Sequence, residues 1–200
     1  NQSNFFFDIG ANIGLITKQL QNLKLNINKY FCFEPEINNF KILKKNLTKN
    51  NTYLYNYGLA SGSRKAKIFV NNLNKSDNSI YLDNYEEKKK KILEINLKNS
   101  NTVLKKIIKD KKIDNIIYKS DTQGMDEEIF LNLDEEITDK IYLLILEISN
   151  FDYISKNLKE FLGKLNKFRS ISTENKSNIS MNNLKILIDK KKEFNVLIKK

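Results

Sequence analysis

The stretch that decides the fold is NFFFDIGANIG, residues 4–14 of a 200-residue chain. It opens with an apolar run of strand length, Asn4–Ile9, and continues into a turn that contains Gly10 and Gly14. Apolar residues at helical spacing follow over residues 13–23. The pattern predicts a buried strand, a glycine turn and a helix, which is the opening unit of an α/β fold with parallel strands.

The glycine turn predicts a ligand site. Gly10 and Gly14 lack a Cβ atom, so the backbone can turn tightly and approach a bound ligand closely. The turn follows the first strand, and open α/β sheets bind ligands at the carboxyl ends of their strands. The spacing, Gly-x-x-x-Gly with Asn12 inside it, differs from the Gly-x-Gly-x-x-Gly of dinucleotide sites. Asp8, which precedes the glycines, suits a ligand that carries positive charge.

A second strand is predicted over residues 29–34, and it ends in Glu34, 20 residues beyond Gly14. A glutamate at this position can accept hydrogen bonds from both hydroxyls of a ribose. The glycine turn and the glutamate together are a more specific signal than either alone. They predict a cofactor that contains a nucleoside.

The rest of the chain continues the alternation. Further strands are predicted over residues 52–57, 65–70, 92–97, 113–121, 141–148 and 194–198, and helices over residues 37–47, 102–109, 126–133 and 153–165. The polar segment 71–87 is predicted to be a lid over the pocket. We expect a single domain over residues 1–200, with natural residues before Asn1 missing because the chain does not begin with Met.

At these residues the sequence resembles the FkbM-type methyltransferases, a branch of the class I S-adenosylmethionine-dependent enzymes. The resemblance rests on DIGANIG (residues 8–14), FEP (33–35) followed by Phe40, Leu43 and Asn46, LAS (59–61) and KSDTQGMD (119–126). The last of these looks like the family's Asp-x-(Glu/Gln)-Gly signature, although Ser120 stands where an apolar residue is usual and Met125 where a small one is common. Together these motifs lie within residues 5–150, most of the chain.

The resemblance implies a Rossmann-like seven-stranded methyltransferase sheet, with six parallel strands plus one antiparallel strand, helices on both faces and a small hairpin or lid insertion after the third strand. It implies S-adenosyl-L-methionine as the cofactor and O-methylation of a hydroxyl on a glycan, sugar or secondary metabolite. The residues predicted to bind the cofactor are Asp8, Gly10, Asn12, Gly14, Glu34 and Ala60.

The candidate catalytic groups are carboxylates. A hydroxyl acceptor should lose its proton to a base, and the sequence contains no histidine. Asp121, at the end of the fourth predicted central strand, is the first candidate, and Glu147 on the next strand is the second. Asp121 could equally cap the following helix or hold the cofactor's amino group. Two carboxylates without a recognisable third ligand are a weak metal signal, so no metal site is predicted.

The net charge of +11 raises the alternative of a nucleic-acid methyltransferase. Nearly all of the positive charge is lysine, however, and arginine, which forks onto phosphates and bases, occurs only at Arg64 and Arg169. The segment after Asp121 also lacks the Pro-Pro-aromatic motif that would present a base, since Pro35 is the single proline. A methyltransferase fold that binds without catalysis stays open, and a nicotinamide dehydrogenase is disfavoured by the glycine spacing.

Two compositional features bear on location. No run of 18 apolar residues occurs, so no membrane span is predicted. The single Cys32 excludes an internal disulfide and fits a reducing compartment, which favours a cytoplasmic protein. The expected partner is a small-molecule or glycan acceptor, and the sequence does not define an oligomeric state.

Overall fold

The structure is a computed structural model, and it describes residues 4–71 and 90–200. Most of the predicted lid, residues 72–87, therefore lies outside the described residues. In chain order the elements are β1 (Asn4–Ile9), α1 (Leu15–Asn22), β2 (Ile27–Phe33), α2 (Ile37–Asn46), β3 (Thr52–Tyr55), β4 (Gly58–Ala60), β5 (Arg64–Asn71), β6 (Lys90–Asn99), α3 (Ser100–Lys111), β7 (Ile116–Ser120), α4 (Asp126–Asn132), α5 (Glu135–Thr138), β8 (Ile141–Ile148), α6 (Phe151–Leu165), β9 (Ser170–Thr173), α7 (Met181–Asp189) and β10 (Phe194–Lys199).

The central sheet has seven strands in the order β3-β2-β1-β7-β8-β10-β9. β10 runs antiparallel to both of its neighbours, β8 and β9, whereas the other pairs are parallel. Six strands therefore share one direction and β10 opposes them. This confirms the predicted arrangement of six parallel strands plus one antiparallel strand.

A second, three-stranded sheet follows β3 in the chain, with the order β4-β6-β5. β5 and β6 pair antiparallel from Arg64 opposite Leu97 to Asn71 opposite Lys90. β4 adds to this pair in parallel along β6. The predicted hairpin insertion after the third strand is therefore confirmed.

Two apolar cores lie on opposite faces of the central sheet. Alternate residues of β1 point to opposite faces, so that Phe5 and Phe7 join the larger core and Phe6 joins the smaller one. The larger core includes residues of α3, α4, α6 and α7, and the smaller one includes Leu43 of α2. Helices thus cover both faces, and β1 is buried on both sides, as is usual for a central parallel strand.

Strand register positions the candidate site. Ile9, the last residue of β1, lies opposite Phe33 at the end of β2 and opposite Ser120 at the end of β7. The residues that follow these three strand ends are therefore brought to one edge of the sheet, although they are far apart in the sequence. Gly10, Glu34 and Asp121 are these residues.

Candidate functional site

The turn after β1 touches the loop after β7 at Gly10. Gly10 has a φ of +74°, and a Cβ atom built on it would lie 1.9 Å from the carbonyl oxygen of Asp121. The Asp121 amide in turn donates to the carbonyl of Ile9 at 3.0 Å. Both the left-handed backbone and the close approach require glycine here.

Gly14 serves the packing between helices. It has a φ of +83°, and a Cβ atom on it would lie 2.6 Å from Cδ1 of Leu43 on α2. The second glycine of the motif thus allows the start of α1 to approach α2. Its contact is with protein rather than with the cavity described below.

Glu34 organises the cavity wall next to the glycine turn. One carboxylate oxygen accepts from the Asn12 amide and the other from the Glu36 amide, each at 2.8 Å. Only 6% of the residue is exposed, and burial raises the pKa of its carboxyl to about 7. Each carboxylate oxygen can accept more than one hydrogen bond, so Glu34 retains the capacity to accept from a ligand hydroxyl.

A cavity opens at the carboxyl ends of β1, β2 and β7. Its described lining comprises Ile9, Gly10, Asn12, Glu34, Pro35, Glu36, Asn39, Gly58, Leu59, Ile68, Ile95, Leu97, Asp121, Thr122, Gln123 and Met125. The apolar part includes four side chains from the small sheet, and the three charged residues of the described lining are all carboxylates. No lysine or arginine lines the cavity within residues 4–71 and 90–200. The site therefore suits a ligand with an apolar ring and net positive charge.

A buried lysine lies beneath the glycine turn. The Lys119 ammonium is 3.0 Å from Oδ1 of Asp8 and donates to the Gly10 carbonyl at 3.1 Å. It is also 3.7 Å from Oδ2 of Asp121. Burial alone lowers the pKa of Lys119, but Asp8 and Asp121 raise it above its usual value, so the ammonium stays charged. Lys119 lies in the KSDTQGMD motif, but sequence reasoning gave it no role; a lysine close to the end of an apolar strand was the available signal.

Asp8 is held by its own neighbours. Its other carboxylate oxygen accepts from the Thr17 hydroxyl at 2.7 Å, and the residue is fully buried. Ala60 is also fully buried, in β4. Of the six residues predicted to bind the cofactor, Gly10, Asn12 and Glu34 line the described cavity, whereas Asp8, Gly14 and Ala60 do not. A direct cofactor contact for any of the six stays a prediction.

Asp121 follows β7, Glu147 is the penultimate residue of the neighbouring strand β8, and Gln123 links the two side chains. The Gln123 side-chain amide donates to Oδ1 of Asp121 at 3.1 Å and lies 3.5 Å from Oε1 of Glu147. The Asp121 side chain is 45% exposed and lines the cavity. Glu147 is only 6% exposed and is absent from the described lining.

The protonation of Glu147 distinguishes the two candidate bases. Burial raises the pKa of Glu147 to about 9, and the nearby acids Asp121, Asp126 and Glu193 act in the same direction. A carboxyl with this pKa holds its proton at neutral pH and cannot accept another one. Glu147 is therefore the weaker of the two candidate bases, and a catalytic role for either carboxylate stays a prediction.

Two buried acids shape the loops around Asp121: Asp126, which ends the KSDTQGMD motif but was given no role from the sequence, and Glu127, which sequence reasoning did not identify. Asp126 accepts from the Ser120 hydroxyl at 2.5 Å and from the Thr122 amide at 2.9 Å. Glu127 accepts from the amides of Ser149 and Asn150, and burial raises its pKa to about 7. Ser120, the unusual residue of the signature, thus has a partner that fixes the loop.

Two features of the described ranges, 4–71 and 90–200, concern metals and membranes. These ranges contain no group of three or more His, Cys, Asp or Glu side chains placed to hold a metal ion. None of their helices combines the length and the apolar character needed to cross a bilayer.

Comparisons with known proteins show what the chain is similar to. The chain matches no family model. It is 33% identical over 126 residues to an uncharacterized protein of Plasmodium falciparum (isolate 3D7), and this match covers 58% of the chain and 6% of that protein. The chain thus corresponds to a small part of this much longer relative.

Solved structures show the fold. The chain superposes on methyltransferase FkbM from Methylobacillus flagellatus KT with a TM-score of 0.56 at 13% identity, covering 98% of this chain and 43% of that one. A precorrin-6y C5,15-methyltransferase from Geobacter metallireducens GS-15 gives a TM-score of 0.44 at 14% identity, with coverage of 100% and 82%. The superposition on methyltransferase FkbM shows that the chain has an α/β methyltransferase-like fold. The chain spans less than half of that FkbM chain.

Proposed function

We propose that the chain is an S-adenosylmethionine-dependent methyltransferase of the FkbM type, which methylates a hydroxyl of a glycan, sugar or secondary metabolite. The observation that carries this proposal is the pairing of Gly10 with Glu34 at one cavity. The backbone at Gly10 leaves no room for a side chain, and the buried Glu34 carboxylate lines the cavity beside it. The methyltransferase-like fold supports the proposal.

The polar and apolar groups that line the cavity fit S-adenosylmethionine. Glu34 would accept from the ribose hydroxyls, and the apolar side chains Leu59, Leu97 and Met125 would pack against the adenine ring. When bound, the cofactor supplies a methyl group on a positively charged sulfur. An acidic lining without described basic side chains suits such a cation better than it suits the pyrophosphate of a dinucleotide.

The chain's own residues would position the acceptor and accept its proton. Asp121 presents a partly exposed carboxylate to the cavity, and Gln123 and Lys119 each contact one of its two oxygens. A carboxylate held in this way can take the proton of an acceptor hydroxyl as the new carbon–oxygen bond forms. Alignment of the two reactants and exclusion of water would supply the rest of the rate enhancement.

Calorimetric titration of the 200-residue chain with S-adenosylhomocysteine tests the proposal, with NAD titrated in parallel. We expect a micromolar dissociation constant for S-adenosylhomocysteine, about −8 kcal/mol, and no heat of binding for NAD. Binding of NAD alone would overturn the proposal in favour of a dehydrogenase. Binding of neither would favour a methyltransferase fold without the cofactor chemistry.

A nucleic-acid acceptor is the second candidate, and the net charge of +11 favours it. The described cavity lining argues against it, because it offers no lysine or arginine to a phosphate. Binding of single-stranded RNA or DNA that weakens steeply with added salt would support this candidate. Salt-independent or undetectable binding would favour the small-molecule acceptor.

The affinity for S-adenosylhomocysteine should depend on pH through Glu34. Only the ionised carboxylate accepts from both ribose hydroxyls, and the pKa of Glu34 is raised to about 7. Affinity should therefore rise as the pH rises through 7, with a change of about tenfold between pH 6 and pH 8. Binding at pH 6 should also release a proton from Glu34. Calorimetry detects this release because the measured binding enthalpy then changes with the ionisation enthalpy of the buffer.

The variant Glu34→Gln should remove this dependence. It should weaken S-adenosylhomocysteine binding by roughly 1.5–3 kcal/mol at pH 8, the range for hydrogen bonds to a charged group. Glu94→Gln is the matched control, because the Glu94 side chain is 59% exposed on β6 and pairs with Lys65. A native chain whose affinity stays constant from pH 6 to pH 8 would contradict the assignment of Glu34 to the ribose.

A further inference from the structure

Lys119 contacts the two loops that form the floor of the candidate site. Its position on β7 is directly opposite Asp8 on β1. From there its ammonium contacts Asp8 at 3.0 Å, the carbonyl of Gly10 at 3.1 Å and the carboxylate of Asp121 at 3.7 Å. Asp8 and Gly10 flank the start of the first loop, and Asp121 opens the loop after β7.

Charge balance explains only part of this arrangement. A buried carboxylate such as Asp8 requires a partner, and a lysine on the neighbouring strand would meet that need with a single contact. The additional contacts, however, are with two residues that line the cavity. The Gly10 carbonyl belongs to the glycine turn that lines the cavity, and Asp121 is the candidate base.

We infer that Lys119 is a positioning residue, which holds the Gly10 turn and the Asp121 carboxylate in one fixed arrangement. This inference rests on the proposed function, because it assigns Lys119 to the same site. The new element is that the Lys119 ammonium couples the Gly10 turn to the candidate base, Asp121. Loss of that ammonium should disturb both loops at once.

The charge of Lys119 also reaches Glu34. The ammonium is one of the groups that lower the pKa of Glu34 against the larger effect of burial. Removal of the ammonium should therefore move the pH at which Glu34 ionises upward. The midpoint of the pH profile for S-adenosylhomocysteine binding should shift upward with it, which a role confined to packing would not produce.

The test compares a variant that lacks both buried charges with one that lacks only the Asp8 charge. Lys119→Met alone strands the Asp8 carboxylate and is expected to lower the melting temperature sharply. The double variant Asp8→Asn/Lys119→Met removes both charges, and its reference is Asp8→Asn, which retains the lysine and its contacts with the Gly10 carbonyl and Asp121. Lys106→Met is the control for removal of one positive charge, since its side chain is 76% exposed on α3.

Two readouts are compared between the double variant and its reference. The first is amide hydrogen exchange in the ligand-free protein over residues 10–12 and 121–124, which we expect to be at least tenfold faster in the double variant. The second is calorimetric titration with S-adenosylhomocysteine from pH 6 to pH 9. We expect affinity at least tenfold weaker and a pH midpoint shifted upward, with Lys106→Met indistinguishable from the native chain.

Equal exchange rates in the double variant and in Asp8→Asn would overturn the inference, because Lys119 would then serve only to balance Asp8. Hydrogen exchange decides this point without any cofactor. Failure of the native chain to bind S-adenosylhomocysteine would overturn the proposed function instead. The two failures are therefore distinguishable.

Discussion

Asp121→Asn should lower the rate of methyl transfer by about 10²- to 10⁴-fold, the contribution typical of a positioned general base. Asparagine keeps the size of the side chain and an oxygen that can accept from Gln123, but it cannot take a proton from the acceptor. S-Adenosylhomocysteine affinity should change by less than about threefold, since the ion pair that asparagine removes is long, with 3.7 Å between the Asp121 carboxylate and the Lys119 ammonium. Rates are measured as S-adenosylhomocysteine formed from S-adenosylmethionine, with the glycan or sugar that the native chain methylates fastest.

Asp114→Asn is the matched control for this substitution. The Asp114 side chain is 86% exposed and pairs with Lys140 on the surface, so its replacement should leave both rate and affinity unchanged. The opposite pattern for Asp121→Asn, a large drop in affinity with little change in rate at saturation, would contradict its assignment as the base. Asp121 would then be a ligand of the cofactor, the alternative that its position in the sequence leaves open.

Gly10→Ala should destabilise the protein by about 3 kcal/mol, because the new Cβ atom both strains the backbone and overfills the space. The φ of +74° is unfavourable for alanine, and the carbonyl of Asp121 occupies the position that the methyl group would take. Relief of the overlap requires the two loops to separate, so S-adenosylhomocysteine binding should also weaken by more than about tenfold. Urea unfolding and calorimetry measure the two effects.

Two other glycines provide controls for the same substitution. A Cβ atom at Gly62 or at Gly163 meets no atom within 4 Å. Gly62→Ala should therefore be close to neutral. Gly163→Ala should stabilise the protein by up to about 1 kcal/mol, since Gly163 lies inside the helix α6 and alanine has the higher helix propensity. A Gly10→Ala variant that unfolds like these two would show that the loops tolerate a side chain.

The sequence predicted the central strands better than the tail. The bounds of β1 and β8 match the predictions to the residue, because each is a long apolar run with turn-forming or polar residues beyond it. β9 and α7 were not predicted individually. β9 has only four residues and one buried side chain, so its strand conformation depends on pairing with β10 rather than on its own pattern.

The parts of the candidate site that could be predicted are those marked by a local sequence motif. Gly10 and Glu34 stand out in the sequence because a glycine turn and an acidic strand end together are a more specific signal than either alone. Lys119 does not, since its partners Asp8 and Gly10 lie more than 100 residues away in the chain. The burial of Glu147 next to Gln123 also depends on tertiary packing. A sequence read by itself cannot supply such distant pairings.

The small sheet has a consequence for how this protein can diverge in evolution. Ile95 and Leu97 of β6 face the cavity, whereas the neighbouring Glu94 and Asn96 are exposed. Insertions usually tolerate many sequence changes, but here alternate positions form a wall of the pocket. Selection on the pocket should hold those positions apolar while the outward ones drift. Homologues are therefore expected to alternate between conserved apolar positions and variable polar positions along this hairpin. An ordinary surface insertion would instead vary at all of its positions.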